Sequence, residues 1–153
     1  MARTGFGKYI HDHIIKHNVG TCELSIDSVV CQYNPDRYAL WLMVADTLHI
    51  EDSPHWELAK NGNESRYKKY QYLLGRREEW IDKKVDGFKT MINQCQNGLG
   101  IVESPQVLTR PIKKNPNWSG GKYEIWEGHH RISASLAWCN KTIADVYEYE
   151  IIN

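Results

Sequence analysis

The sequence predicts an α+β protein with a small, twisted mixed β-sheet flanked by helices. Segments rich in β-branched residues stand near both ends of the chain, and helical segments lie between them. The longest helical segment carries one continuous apolar stripe, which is typical of a helix packed on a core. The 153 residues, 41% hydrophobic and 25% charged, suffice for one domain with its own core.

The N-terminal region predicts an extension followed by a strand. Tyr9–His17 is a weak amphipathic stretch without a clear strand pattern, so we assign residues 1–22 to an N-terminal extension. Residues 23–153 then form the domain. From Leu24 to Val30, apolar and polar residues alternate and then give way to two valines, a pattern that indicates a strand.

Capping residues delimit the helices. Asn34–Pro35 and Ser53–Pro54 each combine a capping side chain with a proline suited to the first helical position. Together with the glycines that follow helical stretches, they predict helices over Asn34–Ala45, Ser53–Asn61, Glu64–Leu74 and Arg77–Asn97. In the last of these helices, the apolar positions recur four and three residues apart and should face the core: Ile81, Val85, Phe88, Ile92 and Cys95.

The C-terminal third predicts three strands and one further helix. The strands are expected over Val107–Ile112, Lys122–Trp126 and Thr142–Ile151, the last of them rich in tyrosine and β-branched residues. Gly128 turns the chain between the second of these strands and a helix over Arg131–Cys139.

Charge and cysteine usage exclude several classes of protein. The 19 basic and 19 acidic residues balance, whereas a dedicated duplex-DNA binder carries a basic excess. The longest apolar run, Tyr38–Ala45, is too short to span a membrane, and no secretory signal is evident, so we expect a cytoplasmic protein without a membrane partner. The four cysteines form no close pair, which predicts free thiols and no zinc cluster.

The segment around Gly128 carries the clearest functional signal. A strand enters this glycine and a helix follows at once; the first N–H groups of a helix lack carbonyl partners and favour an anion. Arg131 adds a forked donor suited to phosphate. His129 and His130 can donate to phosphate or shuttle a proton, and Glu127 can accept a proton or hold Mg²⁺.

The same residues also fit a tight strand–helix turn with two exposed histidines and a surface arginine. Local chemistry alone leaves both interpretations open, because short motifs carry a real false-positive risk. His55, beside Trp56 just after a helix start, also fits either ligand binding or packing in the core, and we favour the packing role.

The pentapeptide Glu127–Arg131, E-G-H-H-R, resembles the phosphate-binding turn of the ParB/sulfiredoxin superfamily, in which a strand–Gly–x–x–Arg–helix motif binds nucleotide phosphates. It looks closest to the D-G-H-T-R of the superfamily's free-serine kinases, with glutamate in place of aspartate. Upstream, Ile26–Asp27 and Asn34–Arg37 are similar to the opening motif of partition proteins, and Pro111–Ile112 is similar to the family's Pro-Ile passage. The resemblance covers roughly residues 23–150.

This resemblance implies a nucleotide-dependent phosphotransferase or NTPase. The implied ligand is ATP, ADP or CTP, with Mg²⁺ as cofactor and a small hydroxyl-bearing molecule as acceptor. The residues that the resemblance assigns to the phosphates are Gly128, His129, His130 and Arg131. Those assigned to catalysis are Glu127, His129 and Asp36.

Two other functions stay open at this point. The same turn suits a non-catalytic, nucleotide-sensing module. Some members of the superfamily bind or cut DNA, but the balanced charge disfavours nucleic acid as a partner here. Sulfiredoxin chemistry is not expected, because His129 stands where that reaction needs a cysteine.

Overall fold

The computed structural model describes residues 14–31, 48–99, 103–109 and 123–152. Within these ranges the strands are β1 (Ile14–Leu24), β2 (Val29–Cys31), β3 (Leu48–His49), β4 (Gln106–Leu108), β5 (Tyr123–Glu127) and β6 (Thr142–Ile151). The α-helices are α1 (Pro54–Asn61), α2 (Ser65–Leu73), α3 (Glu78–Gln96) and α4 (His129–Cys139). In these same ranges, none of the helices combines the length and apolar content needed to cross a bilayer.

The strands form one mixed sheet in the order β1-β6-β4-β5-β2-β3. β1 and β6 pair antiparallel from Ile14 opposite Ile151 to Leu24 opposite Thr142. β4 lies parallel to β6 and antiparallel to β5, and β5 lies parallel to β2. The predicted α+β class with a mixed sheet is therefore confirmed, and β5 lies inside the sheet with a paired strand on each side.

The described helices pack against one face of the sheet. Alternate strand residues such as Val107, Ile125 and Ala144 join a core cluster to which every described helix contributes. The neighbouring residues Leu108 and Trp126 point to the other face and form a separate small cluster. The predicted stripe of α3 is confirmed, since all of its members are buried: Ile81, Val85, Phe88, Ile92 and Cys95.

Capping residues begin the first helix as predicted. The hydroxyl of Ser53 accepts a hydrogen bond from the Trp56 N–H at 3.1 Å, and Pro54 occupies the first helical position. The helix ends at Gly62, which adopts a left-handed conformation with φ of +72°. This start fixes His55 in the first turn of α1, directed into the core with 4% of its surface exposed.

The N-terminal boundary differs from the prediction. Residues 14–22, assigned to an extension, form most of β1 and pair with β6, so the predicted boundary at residue 22 falls inside a strand. The pattern of this segment alone does not reveal β6 as a partner, because β1 is an edge strand with most of its residues exposed. A 3₁₀ turn, Ile26–Ser28, also interrupts the single strand predicted over Leu24–Val30.

Smaller differences concern the ends of other elements. α4 begins at His129, two residues before the predicted Arg131, because Gly128 itself occupies the N-cap position. β5 is shifted by one residue toward Glu127. The strand predicted from Val107 ends at Leu108 within the described residues. The helix predicted over residues 34–45 lies outside the described residues.

Candidate functional site

The turn between β5 and α4 requires glycine. Gly128 has a φ of +101°, a region that residues with a side chain rarely adopt. A Cβ atom added to it would lie 2.6 Å from the Cβ of Pro105, which is a buried residue just before β4. The Ile132 N–H donates to the Gly128 carbonyl at 2.9 Å and closes the first turn of α4. The backbone therefore passes tightly through this point and opens directly into the helix.

Arg131 folds back over this glycine. Its Nε and Nη2 atoms would each lie 3.2 Å from a Cβ on Gly128, so the guanidinium covers the turn. Its Nη1 donates to Oε2 of Glu103 at 2.5 Å. The Glu103 side chain is 82% exposed, while that of Arg131 is 20% exposed. We call Gly128, Arg131 and Glu103 the outer side of the turn. This side places a cation and an exposed carboxylate at the N-terminus of α4.

His130 points in the opposite direction, into the protein. Its Nε2 lies 2.7 Å from the hydroxyl oxygen of Tyr67, which is fully buried on α2. The His130 ring meets Phe88 edge to face at a centroid distance of 4.8 Å and His55 at 4.6 Å. The His129 ring lies 5.5 Å from that of His55. We call these residues, His55, Tyr67, Phe88, His129 and His130, the histidine cluster.

Two histidines of the cluster, His55 and His130, are uncharged at neutral pH. Burial, together with the nearby positive charges of Lys84 and Arg131, lowers the pKa of His130 to about 4. Burial also lowers the pKa of His55 well below its ordinary value, and the neighbouring His130 and His129 act in the same direction. Protonating either ring would place a charge in an apolar surrounding, so both rings stay neutral at pH 7.

Tyr67 and His130 share a hydrogen bond inside the cluster. Burial raises the pKa of Tyr67 to about 12, and a hydrogen bond with Gln71 opposes the rise. In the 2.7 Å contact between the Tyr67 hydroxyl and Nε2 of His130, either atom can be the donor, depending on which ring nitrogen carries the proton.

The residues predicted from the sequence are thus distributed over two sides of one helix start. Gly128 and Arg131 lie on the outer side, and Glu127 is exposed at the end of β5. The rings of His129 and His130 belong to the histidine cluster instead. Asp36 lies outside the described residues.

Sequence reasoning missed three contributors: Tyr67, Lys84 and Glu103. The helical patterns around Tyr67 and Lys84 indicate that Tyr67 is buried and that Lys84 is partly exposed. They do not connect either residue to His130. Glu103 lies in a loop, where no periodicity connects it to Arg131. His55 was noticed, and its packing role is confirmed by its burial among aromatic rings, including Tyr67 at 5.2 Å.

Among the described residues, no group of three or more histidine, cysteine, aspartate or glutamate side chains is arranged to hold a metal ion.

A separate groove of about 770 Å³ opens where α2 ends and α3 begins. Its charged lining is mixed: Lys68, Lys69, Arg76 and Arg77 face Glu78, Glu79 and Asp82.

Comparison with protein-family models, with curated proteins and with solved structures found no match to this chain. The site is therefore interpreted from its own geometry and chemistry.

Proposed function

We propose that this chain binds a nucleotide through its phosphates at the β5–α4 turn and acts as a ParB/sulfiredoxin-like phosphotransferase or NTPase. The position of Arg131 carries the proposal. Its guanidinium covers Gly128 at the start of α4 and pairs there with a carboxylate that is itself largely exposed. Guanidinium groups bind carboxylates and phosphates with the same forked geometry, so a phosphate can replace Glu103 at this position.

The backbone supports an anion at the same point. The N–H groups in the first turn of a helix have no carbonyl acceptor within the helix, and the helix dipole places partial positive charge there. α4 has 11 residues, long enough for this field to develop. Gly128 adds no side chain of its own and the Arg131 guanidinium lies over it, so a phosphate that pairs with this guanidinium also lies close to these N–H groups.

A second cation lies near the inner side of the turn. The charge of Lys84 on α3 acts on the His130 ring in the same sense as that of Arg131, so Lys84 lies near the histidine cluster. Glu103 supplies the opposing charge, and it is exposed enough to swing away. The turn therefore presents net positive potential to a polyphosphate once Glu103 is displaced.

We assign catalysis to Glu127. Its carboxylate is exposed at the end of β5, one residue before the turn, where it can accept a proton from an acceptor hydroxyl or help to hold Mg²⁺. The proposed phosphate donors at 129 and 130 are backbone N–H groups rather than rings, because Tyr67 holds the His130 ring. Mg²⁺ would supply charge neutralisation on the phosphates.

A non-catalytic nucleotide-sensing module is the second candidate function. The lowered pKa values of His55 and His130 favour it, because neutral rings offer no imidazolium to protonate a leaving group at pH 7. In such a module the bound phosphate would alter the contact between Arg131 and Glu103 without being transferred.

Titration calorimetry with ATP, ADP, CTP and GTP, with and without Mg²⁺, tests the proposal. Arg131→Ala should weaken nucleotide binding by about 1.5–3 kcal/mol, the value of a charge-assisted hydrogen bond. Arg66→Ala is the matched control, since Arg66 also pairs with a glutamate, Glu57 at 3.0 Å, on other helices. Glu103→Gln should tighten binding, because it removes the competing carboxylate.

Turnover separates the two candidate functions. Glu127→Gln should leave binding largely intact and abolish phosphate release or transfer. If the wild-type chain binds no nucleotide at millimolar concentration, the proposal fails. If it binds but transfers phosphate neither to water nor to any hydroxyl acceptor, the sensing module is the better account.

A further inference from the structure

Two cysteines that are distant in the sequence meet at one end of the helical layer. Cys95 lies in the last turn of α3, and Cys139 is the last residue of α4. The Cys139 Sγ lies 3.4 Å from the carbonyl oxygen of Cys95, across a separation of 44 residues. Both are free thiols in the structure.

The two thiols also interact directly with each other. Burial raises the pKa of Cys95, a hydrogen bond from Ser135 opposes this, and the Cys139 thiol raises it further. Ser135 precedes Cys139 by four residues, so both lie on the same face of α4, the face turned toward Cys95. A hydroxyl donor and a second thiol thus converge on the Cys95 sulfur.

The two cysteines differ in exposure, and this difference determines which thiol an oxidant reaches first. Cys95 is 2% exposed and belongs to the core, whereas Cys139 is half-buried at its margin. A small oxidant therefore reaches Cys139 first. Cys95 lies behind it in the core, within hydrogen-bond reach of Ser135, whose contact partly opposes the rise that burial causes in the Cys95 pKa.

We propose that Cys95 and Cys139 form a redox modification site that closes to an intramolecular disulfide when a peroxide oxidises the protein. The Cys139 thiolate attacks one peroxide oxygen, the O–O bond breaks, and Cys139 becomes a sulfenic acid while hydroxide leaves and takes a proton. Cys95 loses its proton, its thiolate attacks the Cys139 sulfur, and the S–O bond breaks; the hydroxide that leaves takes up a proton and becomes the second water molecule. Two thiols and one hydrogen peroxide thus give one disulfide and two water molecules.

The remaining cysteines do not share this arrangement. The Cys22 thiol is hydrogen-bonded to Tyr123, on the β1 side of the core. Cys31 is buried on β2. Cys22 is half-buried like Cys139 and its thiol contacts a tyrosine, which makes it a control matched for exposure. This inference stands on the α3–α4 geometry and does not depend on the proposed function.

Oxidation of the reduced, full-length protein with a small excess of hydrogen peroxide tests the site. We expect the count of free thiols in denaturant to fall from four to two, with an intact mass lower by two hydrogen atoms. Peptide mapping should identify one cross-link, between Cys95 and Cys139, that a dithiol reductant reverses. Closing a loop of this length should raise the melting temperature by roughly 5–15 °C.

Two variants complete the test, and three outcomes would contradict the proposal. Cys139→Ser should abolish the cross-link, while Cys22→Ser should leave it unchanged. The wild-type measurement alone is decisive if either variant folds poorly. The proposal is overturned if all four thiols survive, if Cys139 proceeds to sulfinic acid without a cross-link, or if the disulfide joins any other pair.

Discussion

The outer side of the turn and the histidine cluster lie on either side of the same helix start, yet their electrostatics are opposite. Outside, the guanidinium of Arg131 pairs with the exposed carboxylate of Glu103. Inside, His130 and His55 are held neutral, and a buried tyrosine satisfies one of them. Adjacent residues of one short motif therefore have different roles: His130 packs in the core, and Arg131 pairs with a carboxylate on the outer side.

The histidine cluster supports the outer side of the turn. It packs α4 against α1, α2 and α3 through rings whose centroids lie 4.6 to 5.8 Å apart, and so holds the start of α4 in place. The glycine, the guanidinium and the helix N-terminus of the outer side therefore rest on a packed support. We expect mutations in the cluster to reduce stability and mutations on the outer side to affect binding.

The largest effect is expected for Phe88→Ala. Phe88 is 2% exposed and touches His55, Tyr67 and His130, so its removal leaves a cavity in the middle of the cluster. The free energy of unfolding should fall by about 3–5 kcal/mol in urea denaturation. Thr90→Ala, at an exposed position of the same helix, should change it by less than about 0.5 kcal/mol. A loss below about 1 kcal/mol for Phe88→Ala would contradict the packing of the cluster.

Acid should destabilise the protein next most strongly. The pKa of His130 is about 4 in the folded chain, below the ordinary 6.5, so the unfolded chain takes up a proton first as the pH falls. The stability that this ring contributes is present above pH 6.5 and is lost as the pH falls toward 4, by about 3 kcal/mol. His55 adds a loss in the same direction.

Urea denaturation between pH 7 and pH 4 measures this loss. His130→Asn removes the titrating ring and should show a shallower decline than the wild type. Equal declines in the two proteins would show that the ring is not held neutral.

Gly128→Ala is expected to act on both sides of the turn. The strained φ and the contact with Pro105 should lower the unfolding free energy by about 1–3 kcal/mol, and displacement of Arg131 should weaken nucleotide binding. Gly87→Ala is the matched control: its Cβ meets nothing within 4 Å in the middle of α3, so it should stabilise by about 0.5–1 kcal/mol. A neutral Gly128→Ala would refute the tight passage of the backbone.

Tyr67→Phe should have the smallest effect. It removes the hydroxyl that shares a hydrogen bond with Nε2 of His130 and leaves that ring nitrogen without this partner, at a cost of about 1–2 kcal/mol. Tyr72→Phe on the same helix, where the side chain is 71% exposed, should leave the stability unchanged. Thermal denaturation measures the melting temperatures of the two variants. Equal melting temperatures would show that the Tyr67 hydroxyl contributes no stabilising hydrogen bond.

The sequence predicted the helices and the glycine turn because these depend on local signals. The stripe of α3, the Ser53 cap and Gly128 are each readable from a few neighbouring residues. β1 was missed because its pairing with β6 bridges almost the whole chain. The division of the motif into an outer and an inner side was equally hidden, since it depends on Tyr67 and Glu103, which lie 63 and 28 residues from their partners.

The central claim is that phosphates bind on the outer side of the turn, and amide chemical shifts test it most directly. A ¹⁵N-labelled sample titrated with ATP, ADP or CTP and Mg²⁺ should show its largest shifts at the backbone N–H groups of residues 128–131 and at the Arg131 Nε, with the Glu103 amide following. In Arg131→Ala the backbone shifts should need a roughly 10- to 150-fold higher nucleotide concentration. Shifts confined to the groove of Lys68, Lys69, Arg76 and Arg77, or no shifts at millimolar nucleotide, would contradict the account.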